Sequence, residues 1–393
     1  MPPSLGRLTA AQVAARLGVK PETVYAYVSR GLLRRARDAN GSTFDALEVE
    51  AFAAARRRTA SPASAHPTTG MPLGVVRTDI ADIEDGELLY RGQRAREMIR
   101  REFADVVAWL WGTERLDAPD PAIGSAREMV AALPPHADAM DRLRAALTGF
   151  TADDPIRHDA SLPTLHRIGW TLLTGLPVAL GGDPHTSIAR SLVSAWRARA
   201  DDPTVAAVNA ALILLIDHDL AVSTFAARVA ASARADGYAA VGAALGAADS
   251  PLHISAASRT TRLLTRVRRG LEPERALTEA LQDGTGIPGF GHPLYAGIDD
   301  RADALFPLLA ELPDGEETMD AVRRLSEVVA DRTRLGPNVD LALAALASGA
   351  RLPEDAAGTI FVVGRLAGWV SHIAAEYSEP AMRLRPRGEY RGP

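Results

Sequence analysis

Apolar positions recur at helical spacing over most of the chain, and the exceptions mark its organisation. Thr9-Ala-Ala-Gln12 is a capping box, Val13 and Leu17 form a stripe that Gly18 ends, and Pro21 opens a second helix along Val24, Tyr27 and Val28. Thr59 to Gly70 has the Pro, Ser, Ala and Thr content of a linker and no apolar face, so this small head is tethered to the larger body of the chain. Val75 to Tyr90 alternates and contains Asp85-Gly86, the pattern of a β-hairpin. Everything after it is helical, with breaks at Pro or Gly near 118–121, 133–135, 181–184, 202–203 and 336–337.

Within the helical body, polar residues stand out where the pattern is most apolar. Ala206 to Ile216 is apolar nearly all round before Asp217-His218-Asp219 interrupts it, and burying such groups costs several kcal/mol (roughly 2–7 for a polar group) unless they are paired or meet a ligand. A ligand site is one account; a histidine bonded within a packing layer is the other. Arg365 lies inside the apolar run Ile360 to Trp369 and needs an anion. Asp340 in Pro337-Asn-Val-Asp340 opens another apolar helix, where N-cap duty is the plain reading. His253 comes directly after Pro251-Leu252. Gly284-Thr-Gly-Ile-Pro-Gly-Phe-Gly-His-Pro-Leu-Tyr295 sets four glycines and two prolines around His292, a loop whose backbone can approach a ligand.

Composition narrows the chemistry. The 393 residues are 47% hydrophobic, enough for two or three domains with a sizeable core. The absence of cysteine excludes disulfides, thiolate metal sites and a cysteine nucleophile, and fits a reducing cytoplasm. No run of eighteen apolar residues and no apolar leader occur, so neither a membrane span nor a secretory signal is expected, and a cytoplasmic protein is. The net charge of −5 conceals a basic head: residues 1–58 hold ten Lys and Arg against five Asp and Glu.

The head resembles the MerR/excisionase class of helix-turn-helix, through Leu8 to Val19, Thr23 to Tyr27 and Gly31-Leu-Leu33. That resemblance implies a wing over Arg34–Phe44, a third helix over Asp45–Arg58, and DNA as a partner. Lys20, Thr23, Tyr25, Ala26 and Arg30 would face the major groove, with Arg34, Arg35 and Arg37 on phosphates. A compact helical module for protein contacts is the alternative.

Several histidines, an aspartate beside an apolar helix, and at least three arginines without an obvious protein partner suit a small polycarboxylate substrate. The body resembles citrate synthases through Leu89-Tyr-Arg-Gly92, Asp217-His218, Pro251-Leu-His253, Gly289-Phe-Gly-His292 with Arg301, Pro337-Asn-Val-Asp340, Gly364-Arg365 and Arg385-Pro-Arg387. The resemblance implies a mainly α-helical dimer with large and small domains. The division would be a winged helix-turn-helix over 1–58, a linker over 59–71, and a body over 72–393 whose small subdomain occupies about 256–336 and closes over substrate. It also implies roles: Asp340 as base toward acetyl-CoA, His253 stabilising the enol, and His292 on the oxaloacetate carbonyl. His218, Arg301, Arg365 and, from the partner subunit, Arg385 would hold carboxylates. Gly286, Pro288, Gly289, Phe290, Gly291 and Arg334 would take coenzyme A, a substrate; no resident cofactor or metal is implied.

Two departures bear on activity. The family usually has Gly-Gly-Ala-Asn after its enol-stabilising histidine, where this chain has Ile254-Ser-Ala-Ala257, and its basic residue four places after the loop histidine is Ala296 here. Two functional classes remain: an acyltransferase joining acetyl-CoA or a short acyl-CoA to oxaloacetate or a related 2-oxo acid, or a DNA-binding regulator whose body senses a metabolite or pairs with an active paralogue.

Overall fold

A computed structural model describes residues 7–38, 41–59, 76–250, 254–281, 286–385 and 390. His253, Gly284, Thr285, Pro386, Arg387 and residues 60–71 of the expected linker lie outside them. In chain order the head comprises β1 (Arg7–Thr9), α1 (Ala10–Leu17), α2 (Pro21–Ser29), β2 (Arg35–Asp38), β3 (Gly41–Asp45) and α3 (Ala46–Thr59). The body opens with β4 (Ala81–Glu84), β5 (Glu87–Tyr90) and β6 (Gln93–Arg94). Its helices are α4 (Ala95–Met98), α5 (Phe103–Trp111), α6 (Asp120–Ala131), α7 (Ala139–Ala152), α8 (Leu162–Ala179), α9 (Ile188–Ala195), α10 (Asp202–Leu214), α11 (Val222–Ser232), α12 (Gly237–Ala248), α13 (Ile254–Arg268), α14 (Pro273–Ala280), α15 (Asp300–Leu309), α16 (Gly315–Thr333), α17 (Val339–Gly349) and α18 (Ala356–Tyr377). The chain is mainly α, as its pattern predicts.

Contacts divide it into two units, one of Met1–Val76 with Ser255–Glu354 and the other of Arg77–Ile254 with Asp355–Pro393. In the first, Thr9 and Gln12 form the capping box and Gly18 ends α1 in the left-handed conformation. β1 and β2 flank β3 antiparallel, so the wing is a real sheet, and Leu8, Val13, Val24, Leu33, Phe44 and Val49 fill the head's own core. α15, α16 and α17 pack around Leu305, Leu325 and Leu341.

In the second unit, Asp85 and Gly86 take positive φ of 51° and 83°, the turn that joins β4 to β5. β6 adds a third strand that the alternation did not reveal. α18 is the central helix, packed by α8, α10, α11 and α12. By length and apolar content it could cross a membrane, but that stretch is wholly buried. Two glycines let it approach α10 closely: a Cβ on Gly364 would lie 2.8 Å from the Leu212 carbonyl, and one on Gly368 would lie 2.0 Å from that of Ile216. That approach holds the turn leading to His218 against α18.

Candidate active site and nucleic-acid surface

In the first unit the glycine loop is zipped to the segment that starts α17. Gly291 N–H donates to the Gly336 carbonyl at 2.8 Å, and Asn338 N–H donates to that of Gly289 at 2.9 Å. Asn338 Nδ2 reaches the Gly291 carbonyl at 3.0 Å, while its Oδ1 accepts from the N–H groups of Asp340 and Leu341. Asn338 therefore caps α17, and the expected capping role of Asp340 is corrected. The Gly291 N–H serves the loop's own fold. Gly289, at φ 81°, has no room for a side chain, since a Cβ would stand 2.7 Å from Thr260 Cγ2. Pro288 and Phe290 are buried in the same loop, and Phe290 bridges to Pro337.

Asp340 is left with its carboxyl in a poorly solvated place. Burial raises its pKa from 3.8 to about 6, against the pull of Arg301 and with help from Asp299. Burial, then Arg301, depresses His292 from 6.5 to about 4, so its ring is neutral near pH 7. Leu294 N–H donates to His292 Nδ1 at 3.2 Å, which puts the neutral ring's proton on Nε2. One base and one neutral donor thus share the field of Arg301.

Arg301 itself is 2% exposed and forked onto Asp299, with Nε to Oδ1 at 2.9 Å and Nη2 to Oδ2 at 2.7 Å. The expectation that it lacks a protein partner is corrected. Burial opposes the charge on Asp299, but Arg301 outweighs it and the carboxyl is lowered. Asp299 also accepts from Arg301 N–H at 3.0 Å and from Val339 N–H at 3.2 Å, so it ties the starts of α15 and α17 together. Sequence reasoning missed that role, although Asp299 stands two places before Arg301. Arg334 ends α16 at φ 60° and lines a cavity of about 460 Å³ with Ile298, Phe306, Met319 and Leu335.

The second unit carries the other expected residues. His218 is buried just past α10, and Arg365 is buried on α18, where Nε donates to the Leu215 carbonyl at 2.7 Å and the guanidinium lies over the Phe361 ring at 4.9 Å. Asp217 Oδ2 meets His372 Nε2 at 2.9 Å, Arg228 meets His372 Nδ1 at 3.3 Å and Glu376 at 3.0 Å, and Arg383 adds a second cation to Glu376 at 2.6 Å. This network was also missed. The available signal was Arg365, His372 and Glu376 at positions i, i+7 and i+11 of one apolar helix. Arg385 is exposed. Among the described residues no group of three acidic or histidine side chains is arranged to hold a metal.

On the head, Lys20, Tyr25, Arg30, Arg34 and Arg35 are exposed and Thr23 is half-buried, with Tyr25 43% exposed. Ala26 is half-buried and Arg37 exposed. The basic residues of α2 and the wing are therefore on its surface.

The profile described as "Citrate synthase, C-terminal domain" matches residues 70–387, and one described as "Helix-turn-helix domain" matches residues 7–57. The chain is 27% identical to 2-methylcitrate synthase 2 of Corynebacterium glutamicum over 344 residues, 79% of this chain and 90% of that protein. It is 34% identical to citrate synthase 2 of Bacillus subtilis over 192 residues, 48% of this chain and 51% of that protein. The crystal structure of citrate synthase from Thermotoga maritima superposes with a TM-score of 0.65 at 25% identity, covering 82% of this chain and 94% of that one. A ternary complex of the Thermoplasma acidophilum enzyme with carboxymethyl coenzyme A and oxaloacetate has the same fold, with a TM-score of 0.69 at 23% identity over 82% of this chain and 94% of that one.

Proposed function

Because this chain belongs to the citrate synthase family, we propose that it joins acetyl-CoA or another short acyl-CoA to oxaloacetate or a related 2-oxo acid and releases coenzyme A. The observation that carries this reading is the pairing of Asp340, whose pKa is raised to about 6, with a His292 ring that is neutral and protonated on Nε2. A carboxylate with a raised pKa is a better match to a weakly acidic thioester α-proton than an ordinary one. Asp340 takes that proton, and the enol carbon then bonds to the ketone carbon of the 2-oxo acid. Negative charge grows on the ketone oxygen as that bond forms, and the His292 Nε2–H donates to it. Water then cleaves the thioester and coenzyme A leaves.

His253 is assigned the enol oxygen by its motif, and His218, Arg301, Arg365 and the partner's Arg385 the carboxylates. The zipped loop from Gly286 to Gly291 and Arg334 are assigned to coenzyme A. Arg301 suits its role because Asp299 fixes one edge of its guanidinium, so little side-chain entropy is lost on binding. Coenzyme A release is measured with acetyl- and propionyl-CoA against a panel of 2-oxo acids, beside an Asp340→Ala control. Turnover well above that control is expected; turnover equal to it overturns the reading.

The exposed basic surface of the head favours a second function, DNA binding through Lys20, Thr23, Tyr25, Arg30, Arg34 and Arg35. Binding should fall steeply with salt, and Arg34→Ala with Arg35→Ala should flatten that dependence by about one phosphate contact each. An unchanged slope overturns the assignment of these two residues.

A further inference from the structure

The head of this chain is seated on the body segment of its own unit. α3 lies along α16, and Arg332 Nη2 meets Asp45 Oδ2 at 3.1 Å. The last turn of α1 brings Arg16 to the start of the glycine loop: a Cβ on Gly286 would stand 3.0 Å from Arg16 Nη2 and 3.6 Å from its Cζ. Gly286 is buried at φ 92°, so that guanidinium lies against bare backbone. On α3, Glu50 is 2% exposed and takes the Nε–Nη2 edge of Arg16. Asp299 holds Arg301 by the same edge, and in both pairs the Nη1 end lies outside the grip. The Arg16 side chain keeps 17% of its surface exposed.

The charge of the loop gives this arrangement a use. No Lys or Arg stands between Arg275 and Arg301, so the glycine loop brings no cation of its own to a ligand that carries phosphates. A phosphate takes directed N–H donors, and a guanidinium already fixed along one edge offers them with little further loss of side-chain entropy. We propose that Arg16 of the head holds a phosphate of coenzyme A at the Gly286 end of the loop, so that the head completes the acyl-CoA site. This rests on the reading of Gly286–Gly291 as the coenzyme A loop and extends it to a residue outside the matched synthase profile, which begins at residue 70. Glu50 is the positioning residue, since it fixes the guanidinium from the side away from the ligand. The pair as a whole is neutral, so the contact works through short-range hydrogen bonds and favours phosphorylated ligands over pantetheine.

The test uses the full chain and measures binding by calorimetry with oxaloacetate present, so it does not depend on turnover. Arg16→Gln alone would strand the buried Glu50, whereas Arg16→Gln with Glu50→Gln removes both charges together. The double variant should bind coenzyme A roughly tenfold more weakly than the natural chain, the order of a lost hydrogen bond to a charged group, and should bind pantetheine equally well. Dephosphocoenzyme A tells the phosphates apart. A loss seen only with coenzyme A puts Arg16 on the ribose phosphate, and a loss shared by both ligands puts it on the diphosphate. The natural chain supplies a measurement that holds even if the double variant does not fold: phenylglyoxal labelling of Arg16, read by peptide mass, should be slowed by coenzyme A and not by pantetheine. Unchanged coenzyme A affinity in the folded double variant, or labelling that coenzyme A does not slow, overturns the proposal and leaves the loop assignment standing. Tighter binding by the double variant also overturns it and makes the head a cover over the loop. An equal loss for pantetheine means that Arg16 acts only through the shape of the loop, which overturns the phosphate contact. Coenzyme A binding by no form, the natural chain included, overturns the loop assignment and the proposal with it.

Discussion

Each unit of this protein buries an ionic cluster, and the two clusters are built on opposite plans. In the second unit every charge on the Asp217–His372–Arg228–Glu376–Arg383 network meets an opposite or hydrogen-bonding partner within about the usual contact distance, and four of the five side chains are almost fully buried. In the first, Asp299 and Arg301 form a closed pair. Around it stand a carboxyl raised to about 6 and an imidazole lowered to about 4, both displaced chiefly by burial. A closed network fixes a fold, whereas displaced groups are poised to exchange protons. The contrast is between charges that are paired and groups whose protonation burial has displaced.

That contrast can be broken from either side. Glu376→Ala leaves Arg228 buried without its carboxylate, and removing one partner of a buried pair costs about 3–5 kcal/mol. Urea denaturation should register this loss as a lower midpoint. Catalysis per folded molecule should change little by comparison; a large fall in kcat with an unchanged midpoint would place Glu376 among the reacting groups instead. Asp340→Asn has the reverse profile. It should reduce kcat on the order of a thousandfold, about 4 kcal/mol on the barrier. It should also stabilise the fold. The folded pKa of Asp340 is raised above its ordinary 3.8, so folding disfavours its charged form and stability is lost as pH rises from near 3.8 through about 6. Removing the charge restores up to about 3 kcal/mol at pH 8, and the gain should vanish as the pH approaches 4. An Asp340→Asn protein that melts lower than the natural chain at pH 8 would contradict the raised pKa.

What could be read before the structure was what is local. The capping box at Thr9 and Gln12 and the turn at Asp85-Gly86 depend on residues within four positions of one another, and both stand as the pattern predicts. Asp217 and His372 are 155 positions apart, and no periodicity connects them. Asp217-His218-Asp219 announced only that something polar met an apolar surface; it turns out that the first aspartate is held by the network and the histidine comes after it. At Pro337-Asn-Val-Asp340 the misreading had a different cause. Two residues there can cap a helix, and composition cannot say which does. Asn338 takes the cap because its amide also reaches the loop, an interaction fixed only by the tertiary fold.

The pH dependence of turnover sharpens the same contrast with a smaller effect. His292, at about 4, is already neutral over the working range, so of these two groups it is Asp340 that should set the acid limb. kcat should fall about tenfold per pH unit below about 6. A limb set near 4 would mean that the carboxyl titrates as an ordinary one.

The finest test concerns Asn338, which belongs to both plans at once. Its Oδ1 caps α17, a structural duty, while its Nδ2 holds the Gly291 carbonyl next to His292. Serine can supply the first interaction but not the second, and alanine supplies neither. Asn338→Ala should therefore cost about 1 kcal/mol of stability, the ordinary value of a lost cap. Asn338→Ser should recover most of that while keeping the same weakened hold on the loop. If the amide contact serves to place the loop, both variants should raise the KM for the acyl-CoA several-fold and by similar amounts. Should the serine variant restore KM together with stability, the loop is held by its backbone bonds, Gly291 to Gly336 and residue 338 to Gly289, and the side chain of Asn338 is a helix cap and nothing more.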